Sequence, residues 1–309
     1  MTRFIISDTE STSSTPLPTI FSFLSQSGKI AKLQEILAAE GKPTNIINTT
    51  NVDYIASCFE KYTSYVYADK GVIGSEAAVI QALAFAYGQS LAFENFSAFS
   101  AKYGYKITTI NSINYVSKLY SLGAVNEMTV NIADGVQVDT DGSRRVLSFI
   151  SSTAAFSSNK PLSLLNGIIA GTSCRDLGNV NTNSMRGVVL SGSSTTTTSA
   201  HTELGHNLPT GNYAKHYVAS ALTTIGDNAV GDLGYSGLAT ISKVGVTAKL
   251  WKNGSVVATG GTQMPYTLPN TFLFIANGNI ASNKLYESWI IFSDSETIAA
   301  NLSTYLNNS

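Results

Sequence analysis

The sequence predicts an α+β protein, with a small helical domain followed by an antiparallel β-sandwich that ends in a short helix. Three observations predict this class. Apolar residues recur at helical spacing from about residue 17 to 123. After residue 125, short runs rich in Val, Ile and Thr alternate with clusters of Gly, Asn, Asp and Ser. Near the C-terminus, a strand-like run leads into Ser293-Asp-Ser-Glu296, a pattern typical of a helix start.

Five short helices are predicted for the first domain, which we assign to residues 1–124. Gly, Ser and Asn separate the helical runs, as they do in compact helical domains. Each predicted helix has one face of apolar and aromatic side chains at helical spacing. At this spacing such side chains are more often core residues than a partner-binding surface. Ser75 opens the third helical run. The faces begin at Ile30, Val52, Val79, Phe96 and Ile113, and Phe99 continues the fourth.

The second domain, residues 125–309, contains about nine strand-like runs with no helix between them. This pattern predicts two packed antiparallel sheets. The runs are Met128–Ile132, Val146–Ile150, Leu162–Ile169, Gly187–Leu190, His216–Leu222, Ala239–Leu250, Ser255–Thr259, Thr271–Ala276 and Lys284–Phe292.

The composition is poor in charge and rich in small polar residues. Charged residues make up 13% of the chain, about half the usual share, whereas Ser, Thr and Asn together number 95 of 309. The net charge is −1 and no run of Lys or Arg is present, which argues against nucleic-acid binding. Such a polar surface with few charges is typical of extracellular adhesins and virus fibres, and also of many all-β domains.

Neither a membrane span nor a signal peptide is expected. No window reaches the 18 or more apolar residues that cross a bilayer. Asp8 and Glu10 interrupt the apolar residues near the N-terminus, so that a signal-peptide core cannot form there. We therefore expect synthesis and folding in a cytoplasm, without membrane association.

Three consecutive features of the tail indicate a particular kind of sandwich. Asn253-Gly254 joins two strand-like runs and suits a type I′ hairpin, since both turn residues tolerate positive φ. A strand from Thr271 ends in a second turn at Asn277-Gly278, and a final strand leads to the helix that begins at Ser293. This order resembles the concanavalin A-like/laminin G-like jelly-roll domains of phage virion appendage proteins, over about residues 125–309.

The resemblance implies a non-enzymatic structural protein of a phage head or tail fibre, or a capsid decoration protein, located in the virion. Its sandwich would contact the host surface or a glycan. Residues 1–124 would serve attachment to other virion proteins or oligomerisation; appendages are usually symmetric, and trimers are common among them. A cellular lectin-like adhesin module remains an alternative, as does a glycan-depolymerising tail-spike enzyme. This fold hosts all of these functions.

No catalytic residues are predicted, and the chain is expected not to be an enzyme. Relatives of this fold that hydrolyse glycans carry carboxylates spaced Glu-x-Asp-x-x-Glu, and that spacing does not occur here. The segment from His201 to His206, with Glu203 between them, lacks the His-Glu-x-x-His spacing and predicts a polar loop instead.

Two pairs of residues are candidates for binding. Trp251 and Tyr266 could stack on a sugar ring, although tryptophans on strands are more often core residues. Asp139 and Asp141 form an Asp-x-Asp-Gly turn that resembles a weak calcium site, but the further carboxylates of such a site are missing. A hairpin turn is the simpler interpretation. We therefore predict no cofactor and no metal, with calcium left open.

Overall fold

Four α-helices lie in the described part of the chain. The structure is a computed structural model that describes residues 21–124, 127–151, 154–158, 167–175, 184–191, 200–207, 211–218, 221–226, 237–243, 245–262, 272–278 and 283–308. The helices are α1 (Gln26–Ala39), α2 (Val52–Ala68), α3 (Glu76–Gly88) and α4 (Glu296–Asn308). Ser25 and Ser75 cap α1 and α3, each accepting a bond from the backbone amide three residues later. Thus the predicted start of the third helix at Ser75 is confirmed.

The strands in the described residues are antiparallel throughout and form two sheets. Their bounds are β1 Val72–Ile73, β2 Phe96–Phe99, β3 Gly104–Ile110, β4 Ile113–Tyr120, β5 Leu122–Gly123, β6 Glu127–Val130, β7 Val136–Asp141, β8 Arg144–Phe149, β9 Ala155–Ser158, β10 Ile168–Arg175, β11 Ser184–Ser191, β12 Ala200–Asn207, β13 Gly211–Val218, β14 Ala221–Gly226, β15 Leu238–Ser242, β16 Thr247–Lys252, β17 Ser255–Thr262, β18 Phe272–Gly278 and β19 Asn283–Ile291. The outer sheet has the order β1-β3-β4-β6-β9-β18-β11-β12-β13-β14. The middle sheet has the order β17-β16-β15-β10-β19-β2-β5, and in it β8 also pairs with β19 and β7 with β8.

The middle sheet is covered on both faces, so the molecule has three layers. Alternate residues of a strand point to opposite faces. In β10, Ile168 and Ala170 pack in the sandwich core between the two sheets, whereas Ile169 packs in the helix-side core beneath the four helices. Helix α4 lies directly on the middle sheet, where Leu302 and Leu306 contribute to the helix-side core. The predicted class of helices, antiparallel sandwich and C-terminal helix is confirmed.

Two of the five predicted helices are wrong, because their residues form strands. Phe96 and Phe99, whose spacing suggested one helical face, lie on opposite faces of β2, one in each core. Asn111 and Ser112 adopt positive φ values of 51° and 64° and close the hairpin between β3 and β4. Pairing with strands distant in sequence therefore overrides the local apolar pattern.

The predicted domain boundary at residue 124 does not separate two cores. Strand β2 pairs with β19, and β4 pairs with β6, so that hydrogen-bonded ladders cross this position in both sheets. Helix residues such as Leu83 share the helix-side core with Trp289 and Leu302. The helices therefore cover one face of the sandwich. The attachment or oligomerisation role predicted for residues 1–124 stays a prediction.

The three tail features have different outcomes. The Asn253-Gly254 hairpin is confirmed, with φ values of 52° and 89°. The second turn, predicted at Asn277-Gly278, is wrong, because β18 continues through these two residues and they pair with Met185 and Ser184. The last helix begins at Glu296, three residues later than the start predicted at Ser293. Its cap is Ser295, whose hydroxyl accepts from the Ile298 amide at 3.4 Å.

Candidate functional site

Asp139 and Asp141 lie on β7 at the open end of the middle sheet. Strand β7 forms a tight hairpin with β8, in which Asp141 pairs with Arg144 across the turn. Gly142 adopts a φ of 62° at this turn, a conformation that glycine takes without strain. The hairpin-turn interpretation of Asp-x-Asp-Gly is therefore confirmed.

The neighbouring strands bring four further side chains to these carboxylates. Strand β19 lies between β8 and β10, and Lys284 pairs with both Ser148 and Arg175. The register between β10 and β19 shifts so that Ser173 faces Glu287 and Cys174 faces Leu285, which leaves Tyr286 as the extra residue of a bulge. The Ser100 hydroxyl holds this bulge by donating to the Tyr286 carbonyl at 2.6 Å.

We name the resulting group the Asp141 cluster; its members are Asp139, Asp141, Arg144, Arg175, Lys284 and Tyr286. The Asp141 Oδ2 atom accepts from the Tyr286 hydroxyl and lies 3.0 Å from Arg175 Nη1. Lys284 Nζ lies 3.7 Å from Asp139 Oδ2 and 3.9 Å from Asp141 Oδ1. The Arg144 guanidinium stands 5.9 Å from the centre of the Tyr286 ring, within the range of a cation–π contact.

The cluster holds Asp141 as a carboxylate. The hydrogen bond from Tyr286 lowers the pKa of Asp141 below its ordinary value, with Arg175 and Lys284 acting in the same direction. Burial, followed by the bond to Asp141, raises the pKa of Tyr286, so its hydroxyl remains a donor. Side chains of Asp141 and Arg175 are 22% and 31% exposed, so the cluster is partly desolvated but reachable from solvent.

This arrangement does not fit a calcium ion. Calcium takes six to eight oxygen ligands, several of them carboxylate oxygens. Here Asp141 is directed at a guanidinium and a phenol, and Asp139 at an ammonium group. In the described part of the chain, no group of three or more His, Cys, Asp or Glu side chains could hold a metal ion.

The remaining residues predicted from the sequence lie elsewhere. Trp251 is 3% exposed and belongs to the helix-side core, which leaves no open ring face for a sugar. Tyr266 lies outside the described residues. The segment His201–His206 was expected to be a loop, but it lies in strand β12, where ladders to β11 and β13 decide its conformation.

A second charged group, which sequence reasoning missed, lies deeper on the same face of β19. Glu287 is 0% exposed, and its Oε1 atom accepts from the Tyr103 hydroxyl and from Trp289 Nε1 at 2.5 Å. Lys102 Nζ lies 3.0 Å from Oε2, and the Tyr305 hydroxyl of α4 lies 3.4 Å from that of Tyr103. We call these five residues the Glu287 cluster. The available signal was an acidic residue close to the apolar residues Tyr286 and Trp289 of a predicted strand, since buried charges need partners.

Comparison with known proteins yields weak likenesses. No family model matches the chain, and no curated protein matches its sequence. The binding domain of Paraclostridial Mosquitocidal Protein 1 has a TM-score of 0.48 and 9% identity over 70% of this chain and 53% of that one. The binding domain of botulinum neurotoxin DC, in complex with SialylT, has a TM-score of 0.43 and 11% identity over 70% and 52%. A Trypanosoma rangeli sialidase has a TM-score of 0.46 and 9% identity over 69% of this chain and 32% of the sialidase chain.

This chain thus spans about half the length of those toxin domains and about a third of the sialidase chain. Likenesses at this level carry no argument about what the protein does. The assignment as an antiparallel sandwich rests on its own strand pairing and on its two cores.

Proposed function

We propose that this chain is a non-enzymatic structural protein of a phage virion, in a head or tail fibre or as a decoration protein, and that its sandwich binds a host-surface glycan through the Asp141 cluster. The cluster itself is the observation that carries the binding part of this proposal. It is polar, partly exposed and held in place by four neighbouring strands, β7, β8, β19 and β10.

The chemistry of the cluster suits a sugar. Binding sites place a few polar groups on a rigid frame, and these groups orient a ligand that is otherwise held by shape. Here guanidinium and ammonium groups supply donors, and Asp139 supplies an exposed acceptor. Among the described residues, β7 and β8 contribute nothing to the helix-side core, so the helices leave this end of the sheet open.

Contacts of Asp141, Asp294 and Glu296 support a protein without glycosidase activity. A glycosidase needs a carboxylic acid whose pKa is raised enough to donate a proton near neutral pH. The pKa of Asp141 is lowered by its bond from Tyr286, and that of Asp294 by its bond from Lys243. Glu296 lies 2.6 Å from Lys249. Asp141 and Asp294 are therefore suited to remain ionised rather than to donate protons.

Two features support a structural role with a separate attachment surface. The low share of charged residues suits a fibre or decoration protein. On the helical layer, Phe23 is 85% exposed, and a cleft of about 480 Å³ lies beside it. Residues lining the cleft include Phe21, Lys29, Asp53, Glu60 and Lys61.

No helix in the described residues is both long enough and apolar enough to cross a membrane.

Cryo-electron microscopy of the parent particle tests the virion role, and a glycan array tests the binding role. We expect the sandwich at the distal side of a symmetric appendage, with the helical layer towards the particle. On the array, we expect binding that is lost in an Arg175→Gln variant and kept in a Lys249→Gln control. Shortened host polysaccharide after incubation would instead show an enzyme, and absence from the particle would favour the cellular adhesin.

A further inference from the structure

We infer that the ligand of the Asp141 cluster is an acidic glycan, recognised through a sugar carboxylate. This inference rests on the proposed function, since it takes the cluster to be a glycan site, and it adds the chemical class of the sugar. It follows from the charge count, the donor geometry and the partial burial of the cluster.

The cluster carries one more positive than negative charge. Arg144, Arg175 and Lys284 are set against two carboxylates, Asp139 and Asp141. The chain as a whole has a net charge of −1, so the excess is local to this site. A single carboxylate would balance it, whereas a neutral sugar would leave it uncompensated. Because the site is partly buried, this charge is screened less by salt than a fully exposed one.

Donors remain for such a carboxylate. A guanidinium carries five N–H donors in a planar fork that matches a carboxylate, and the ion pair with Asp141 engages Arg175 through Nη1. The Lys284 ammonium carries three donors; it donates to the Thr140 carbonyl at 3.2 Å, while both Asp carboxylates lie beyond hydrogen-bond distance. Asp141 and Tyr286 therefore act as positioning residues that hold the Arg175 fork.

The same count argues against a polyanion such as DNA. Nucleic-acid sites neutralise many phosphates along an extended basic surface. Here the excess is a single charge, and the two carboxylates of the cluster would repel a phosphate backbone. The site is thus suited to a single carboxylate within an otherwise neutral, hydroxyl-rich ligand.

Calorimetry with matched polysaccharides tests the inference. The probes are polygalacturonate, hyaluronate and alginate, each compared with the same polymer after its carboxylates are reduced to primary alcohols, together with duplex DNA. We expect at least one acidic polymer to bind, and its reduced form to bind about tenfold or more weakly, the scale of one charged hydrogen bond. Lys284→Gln should weaken binding of the acidic form alone, whereas the Lys249→Gln control should not.

The possible results separate the two proposals. Equal binding of acidic and reduced polymers would overturn the acidic-glycan inference and leave the glycan site standing. Binding of DNA as tight as that of the acidic polymer would also overturn it, since simple charge attraction would then suffice. If neither these polymers nor the glycan array showed binding, the glycan-binding part of the proposed function would fail, and the inference with it.

Discussion

Tyr286 and Glu287 are consecutive residues of one strand, yet their side chains belong to different charged clusters. The bulge turns the Tyr286 hydroxyl towards Asp141 at the open end of the sheet, whereas Glu287 lies beneath the helices with 0% exposure. Both clusters join a carboxylate to tyrosine and to a cation. The difference is the cover: α4 and the β2–β3 turn enclose the Glu287 cluster through Tyr305, Lys102 and Tyr103.

Cover by the helical layer decides what a charged group can do. A sealed carboxylate has lost its hydration, and its bonds to partners become a condition of folding. A partly exposed carboxylate keeps some water, which a ligand can displace. We therefore assign the Glu287 cluster to stability and the Asp141 cluster to binding.

The largest expected effect is on stability at the sealed cluster. Glu287→Ala removes the acceptor of Tyr103 and Trp289 and leaves Lys102 unpaired, which should cost about 3–5 kcal/mol of unfolding free energy. Urea unfolding measures this loss. Glu287→Gln, which keeps an acceptor, should lose less, and Glu35→Ala on the surface should change nothing measurable. A fully stable Glu287→Ala protein would contradict the assignment.

A smaller effect should show how closely the helical layer is packed on the sheet. A Cβ added at Gly237 would lie 1.8 Å from the Ser303 carbonyl oxygen and 2.5 Å from the Asn307 amide nitrogen, both backbone atoms of α4. Gly237→Ala should therefore lower the unfolding free energy by about 1–3 kcal/mol. Gly261→Ala, with open space around the new methyl group, is the matched control. Equal stability of both variants would show that α4 is not tightly seated.

The smallest effect concerns acid stability at the open cluster. Because the pKa of folded Asp141 lies below its ordinary value of 3.8, its carboxylate stabilises the fold above that value. This contribution is lost as the pH falls through the folded pKa. The stability difference between wild type and Asp141→Asn should thus be present at neutral pH and disappear in strong acid. Unfolding curves recorded from pH 7 to 2 measure it, and a difference that grew towards low pH would contradict the pKa direction.

Local sequence signals identified the elements that rest on local chemistry. The Asn253-Gly254 turn could be predicted because positive φ at both turn residues depends only on those two residues. The helix start at Ser75 could be predicted because a helix cap involves only residues close in sequence. The apolar spacing at Phe96 gave a helix instead of β2, since the partner that makes it a strand, β19, lies near the other end of the chain. Asn111, a common turn residue, was the overlooked signal for the β3–β4 hairpin.

The candidate site was predicted in part. Asp139 and Asp141 were recognised as a turn, but their partners could not be found from spacing. Arg175 reaches Asp141 across 34 positions of sequence and Tyr286 across 145, through strand pairing that no local pattern specifies. The bulge that aims Tyr286 is likewise a property of two paired strands.

One measurement tests the division between binding and stability most directly. Lys284→Gln and Lys102→Gln remove one cation from the open and the sealed cluster, respectively, and each variant can be studied for melting temperature and for affinity to the acidic polysaccharide. We expect Lys284→Gln to bind about tenfold more weakly with an unchanged melting temperature. Lys102→Gln should melt at a lower temperature and bind as the wild type does. The reverse pattern, with affinity lost at Lys102 and kept at Lys284, would contradict the account.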